Sequence, residues 1–198
     1  MERKYELTNE TIFFNGLTLY RIRAVKDFAD VKAGDLGGWI EKEVNLSQAD
    51  DAWVYDYAKV YGRARVFDNA KVYGRAMIFD NTNVYGNACV CGNARVYGNA
   101  NVHGNACVYG YAQVSFDAFV YGSARVYGNA WVRGCAFVYG SARVYGYVHV
   151  YDSAQVYGNA HVCGIAWVYG NARVCGDTWV CGRARVYYGK LDAKKRIK

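Results

Sequence analysis

Three histidines, seven cysteines and scattered carboxylates are the side chains of this sequence that could carry chemistry. His103, His149 and His161 could each act as a general base near neutral pH, where imidazole exchanges its proton. A base works only on a substrate held within hydrogen-bond reach, so each histidine is worth what surrounds it. The cysteines are Cys89, Cys91, Cys107, Cys135, Cys163, Cys175 and Cys181. Zinc needs ligands that converge as a tetrahedron, and no CxxC pair occurs, so no metal site is expected. Neither a phosphate-binding loop, HExxH, GxSxG nor a GxGxxG after a strand is present. The 22 glycines belong to a repeat, so any glycine motif is contaminated by it.

That repeat decides what can position these groups. From Val54 to Val186 every sixth residue is Val, apart from Ile78. Two residues before each lies Ala, except at Thr82, Val148 and Thr178. The consensus is Ala-x-Val-Tyr-Gly-Asn, as at Ala94–Asn99. A strict six-residue stripe would spiral around an α-helix. In a short strand, Ala and Val share one face and the residues beside Val share the other. Gly then accepts the positive φ of a turn, and Asp replaces it at Asp56, Asp68, Asp80 and Asp152. One unit cannot bury its own apolar face. Three units closing a triangular coil of 18 residues, stacked as parallel strands about 4.8 Å apart, can. The expected fold is all-β, with between seven and eight coils.

This pattern resembles the hexapeptide-repeat, single-stranded left-handed parallel β-helix family over residues 50–188. The resemblance, not the period, implies the left hand. The family holds acyltransferases using coenzyme A or acylated carriers, and non-enzymatic scaffolds. The block Ala24–Ile40, with Leu46-Ser47 and Trp53–Asp56, is similar to the N-terminus of the YdcK-type family, which has bacterial, phage and prophage members. It implies a bacterial or phage accessory protein, one form being an inhibitor of a host defence complex.

Residues 1–49 read as an N-terminal cap. Thr11–Ala24 alternates around Asn15-Gly16, a hairpin signal. Trp39, Ile40 and Leu46 are suited to covering the open end of the solenoid. Residues 189–198 form a basic tail, expected to solubilise the chain and block edge pairing.

Positions 18 apart should stack, so the surface can be written as ladders on three faces, named here after Val54, Val60 and Val66. Among the 23 residues that follow the repeat Val or Ile, 14 are Tyr. The three histidines fall on three different faces. No insertion interrupts the units, and Val and Ala fill the interior, so no walled pocket or cofactor is expected. A non-enzymatic binding or scaffold role is favoured, with an acyltransferase as the alternative. The candidate binding surface is Trp131, Arg133, His149, Tyr151, Trp167 and Tyr169, with a second patch at Phe119, Phe137, Tyr121 and Tyr139. Trp, Tyr and Arg are the residues enriched at interface hot spots. Homo-oligomerisation and an unidentified protein partner are expected.

Charge separates along the chain. The first 50 residues carry 7 basic and 9 acidic groups, whereas the last nine carry 5 and 1, within a total of +7. A basic body with surface rings could bind single-stranded nucleic acid through Arg125, Arg143, Lys194, Lys195 and Arg196. The arginines scatter over three faces, so this reading is not favoured. No 18-residue apolar run or apolar leader is present, so neither membrane insertion nor secretion is expected. In a cytoplasmic setting the cysteines should be thiols. Cys163 and Cys181 should sit about 4.8 Å apart at Cα, but parallel side chains aim the same way, so a ladder of thiols is expected there.

Overall fold

The computed structural model describes residues 3–192 and 196–197. It is a parallel β-solenoid whose sides form sheets of eleven, nine and eight strands. Most repeats contribute a two-residue strand ending on the inward Val, those at Arg125–Gly128, Arg143–Gly146 and Arg173–Cys175 running past it, and partners lie 18 residues apart: Val90 with Val108, Val96 with Val114, Val102 with Val120. The Ala and Val positions of the repeat are buried from Ala52 onward and form one continuous core. Burying each Val in this way stabilises by roughly 1.5–3 kcal/mol relative to exposure. Thr82 keeps its hydroxyl satisfied by donating to the Phe79 carbonyl at 2.8 Å.

The corners follow from backbone conformation. Gly92 sits at φ 68° with the Gly110 backbone directly above, where a Cβ would come within 3.1 Å of Gly110 N. The Asp replacements also take positive φ, but their carboxylates add a bond between coils. Gly74, Gly86, Gly98 and Gly170 donate their amides to Asp56, Asp68, Asp80 and Asp152, one coil earlier. Phe116 also occupies a glycine position, at φ 57°.

Strands β1 (Tyr5–Phe14) and β2 (Leu17–Ala24) form the expected hairpin, with Asn15 and Gly16 both at positive φ. β2 pairs antiparallel with β3 (Leu36–Ile40), and β3 pairs parallel with Lys59-Val60, so the cap is continuous with the Val60 sheet. Ile40 and Leu46 are inward residues of a first coil, Leu46 bridging to Val66. Trp39 precedes an inward residue and therefore packs outside the core, with Leu19 and Tyr61. Tyr5 and Phe28 instead cover Trp53, at ring distances of 6.0 and 5.3 Å. Lys4 is buried there, its Nζ donating to the carbonyls of Asp50 and Ala52 at 2.5 and 2.8 Å.

The basic tail joins the sheets at the end of the solenoid. Lys190–Asp192 pairs with Arg173–Cys175, and Arg196-Ile197 pairs with Trp179-Val180. Leu191 and Ile197 take the inward places, so the apolar pattern carries on one residue out of period. With the first coil and these last rungs, the solenoid reaches about nine coils, beyond the seven to eight that the strict repeat supplies. Among the described residues no helix is long and apolar enough to cross a membrane.

Candidate binding faces and groove

Strand alternation sends the residues on either side of each Val outward, and the solenoid register stacks them. On the Val60 face, Trp131 pairs with His149 and His149 with Trp167. Their rings lie 5.5 and 4.9 Å apart. Tyr151 stacks on Tyr169 at 5.0 Å and meets the Trp167 edge at 6.0 Å. The Arg133 guanidinium bridges the two columns, 5.8 Å from the Trp131 ring and 5.2 Å from Tyr151. Arg185 lies 5.4 Å over Trp167. All six residues read from the sequence as one surface are thus joined in one connected set of contacts. They are half-buried, because each ring shields the next.

The Val66 face carries a longer stack. Phe67, Tyr85, His103, Tyr121, Tyr139 and Tyr157 lie in one column, with neighbouring centroids 4.7–5.1 Å apart and planes within 10°. Beside it Phe119 stacks on Phe137 at 5.2 Å. The second predicted patch is therefore assembled as well.

On the Val54 face, Arg125 pairs with Arg143, Arg143 with His161, His161 with Trp179 and Trp179 with Arg196. The tail thereby brings Arg196 onto the column of Arg125 and Arg143. Lys194 and Lys195 lie outside the described residues. His161 stacks on Trp179 at 4.2 Å. Cys163 and Cys181 correct the thiol-ladder expectation: they form a disulfide across two coils, with Cα atoms 4.5 Å apart. Coil spacing alone brings in-register cysteines within bonding reach, and side-chain rotation supplies the rest. The same face gathers Cys89, Cys91 and Cys107 beside Tyr73. Among the described residues no group of three His, Cys, Asp or Glu is arranged to hold a metal ion.

Each histidine is a rung in a ring column, and burial lowers all three below the ordinary imidazole pKa. Arg133 adds to the effect at His149, and Arg143 at His161. The shift favours the neutral imidazole in each. Among the described residues, the Nδ1 atoms of His149 and His161 are buried without a hydrogen-bond partner.

The expectation that nothing walls a pocket needs one correction. A groove of about 560 Å³ runs along the solenoid between two columns. One is the surface column Met77, Arg95, Gln113, Trp131 and His149; the other is the corner column Arg75, Asn93, Tyr111, Asn129 and Tyr147. Tyr111 and Tyr147 are more than 60% exposed and form its outer wall. Sequence reasoning sorted only the residues flanking Val and so missed them. The available signal was a large ring at the sixth position, where the repeat otherwise favours Asn, Ser or Arg.

The YdcK β-solenoid repeat profile matches residues 88–104, 118–134 and 166–182. A 62-residue stretch is 40% identical to a protein of Escherichia coli K12 named "Uncharacterized acetyltransferase YdcK". That match covers 27% of this chain and 19% of the relative, about a fifth of the relative's length.

Proposed function

We propose that this YdcK-type β-solenoid is a rigid, non-enzymatic binding module that engages a protein partner, and a second copy of itself, through its ring-stacked faces. The observation that carries the reading is the joined column Trp131–His149–Trp167 with Arg133, Tyr151 and Tyr169. It offers aromatic and guanidinium groups that are already ordered, so little side-chain entropy is lost on binding. Coils without insertions hold these groups on a stiff frame. In a bacterial or phage cytoplasm, an accessory protein of this kind would act by occupying a partner's surface, inhibition of a host defence complex being one form.

A second reading is acetyl transfer in the groove. Two observations favour it: the name carried by the E. coli relative, and His149, which lines the groove and whose pKa is lowered by burial. Arg75 and Arg95 would offer positive charge to an anionic carrier. Calorimetry with acetyl-coenzyme A separates the readings. The binding-module reading expects no heat of binding. Micromolar binding that is lost in His149→Ala would replace it with the enzyme.

A further inference from the structure

We infer that Cys89 and Cys107 form a peroxide-responsive dithiol on the Val54 face, reversibly stitching two adjacent coils. The two residues are register partners in neighbouring parallel strands, as Cys89 pairs with Cys107 and Val90 with Val108. Their 18-residue separation is the one that joins Cys163 to Cys181, where the Cα atoms lie 4.5 Å apart. Both are free and half-buried, open enough for a small oxidant. The competing partner is Cys91, which points to the same side as Cys89. Two residues along one strand place its Cα roughly 6.6 Å away, near the outer limit for a disulfide. The lateral pair is therefore the better geometry.

The surroundings divide the roles. Cys107 is followed in its column by Arg125, its register partner on the next coil. The neighbouring Cys89 thiol, and then the Arg125 charge, hold Cys107 down to about 6, so it is largely thiolate at neutral pH. Cys89 is pushed up by the adjacent Cys107 and Cys91 and remains the protonated thiol, 3.2 Å from the Tyr73 hydroxyl. The Cys107 thiolate attacks one oxygen of hydrogen peroxide, breaking the O–O bond. This forms Cys107 sulfenic acid and releases hydroxide. The Cys89 sulfur then attacks the Cys107 sulfur, forming the S–S bond and expelling water with the Cys89 proton. Two thiol sulfurs lose two electrons in total, and one peroxide is reduced.

The test uses the full chain. It is titrated with one to a few equivalents of hydrogen peroxide, remaining thiols are alkylated, and peptides are mapped by mass spectrometry. The expected product links Cys89 to Cys107, with loss of two alkylatable thiols out of five and full recovery in dithiothreitol. Cys91→Ser should retain the link. Cys107→Ser should abolish it and leave Cys89 alkylatable, with an unchanged circular dichroism spectrum. Cys107→Ala provides a second variant should the serine disturb the ladder. A Cys89–Cys91 link, irreversible oxidation of Cys107 without a link, or five thiols still alkylatable after peroxide would each overturn the proposal.

Discussion

Replacing Val108 with Asp tests the inward assignment on which every face depends. Val108 is fully buried, between Val90 on one coil and Val126 on the next. Losing its burial costs about 2 kcal/mol. A carboxyl in that place has only methyl groups around it. Protonating to avoid a buried charge still leaves an unpartnered polar group, which costs about 1–3 kcal/mol more. Above the ordinary Asp pKa there is a further cost of holding the acid neutral, several kcal/mol by pH 7. Native stabilities are about 5–15 kcal/mol, so the variant should be unfolded or close to it at pH 7. The sign with pH is fixed. The folded-state pKa is raised, so the variant's stability deficit is smallest below the unfolded Asp pKa and grows as pH rises. Urea titrations followed by circular dichroism at pH 4 and pH 7 measure both effects. A midpoint equal to that of the parent at pH 7 would refute the inward placement of Val108. A deficit that shrinks towards pH 7 would refute the buried-carboxyl argument.

Three further outcomes follow from named contacts. Asp152→Ala keeps a positive φ and loses the carboxylate bond to the Gly170 amide. It should cost about 1–2 kcal/mol, and Asp152→Gly should cost less because it relieves the backbone; equal midpoints in urea would contradict this. Burial lowers the Lys4 amine to about 8. A folded pKa below the unfolded value means the unfolded chain binds more protons between about pH 8 and 10, so stability should rise across that window in the parent and not in Lys4→Met, as measured by thermal melts. Cys107 should react with iodoacetamide at a rate that titrates near 6, below the ordinary thiol range, and the midpoint should rise in Arg125→Gln.

Much of the architecture was legible because a six-residue period in Ala and Val admits few other structures. The register follows from that period, which is why Trp131, His149 and Trp167 fall into one group in the sequence itself. The ends were harder. Trp39 resembles a lid by size, yet strand alternation beside the inward Ile40 sends it outside, and Tyr5 and Phe28 cover Trp53 instead. Leu191 and Ile197 sit one residue out of period among lysines, so their inward places were hidden by the surrounding charge. The groove was missed because corner residues have no partner in the period-2 pattern. It lies between the Met77–His149 surface column and the corner column that carries Tyr111 and Tyr147. The Cys163–Cys181 bond depends on side-chain rotation, which the period does not specify.

The central claim is that the ring-stacked Val60 face is a binding surface that the chain uses towards a second copy and towards a partner. Sedimentation equilibrium at micromolar concentrations tests it most directly, comparing the parent with the triple variant Trp131→Ser, Tyr151→Ser and Trp167→Ser. The account predicts a parent mass at a multiple of 22.2 kDa and a triple variant that is folded and shifted towards that single-chain mass. A parent already at the mass of one chain, or a variant that sediments as the parent does, would contradict it.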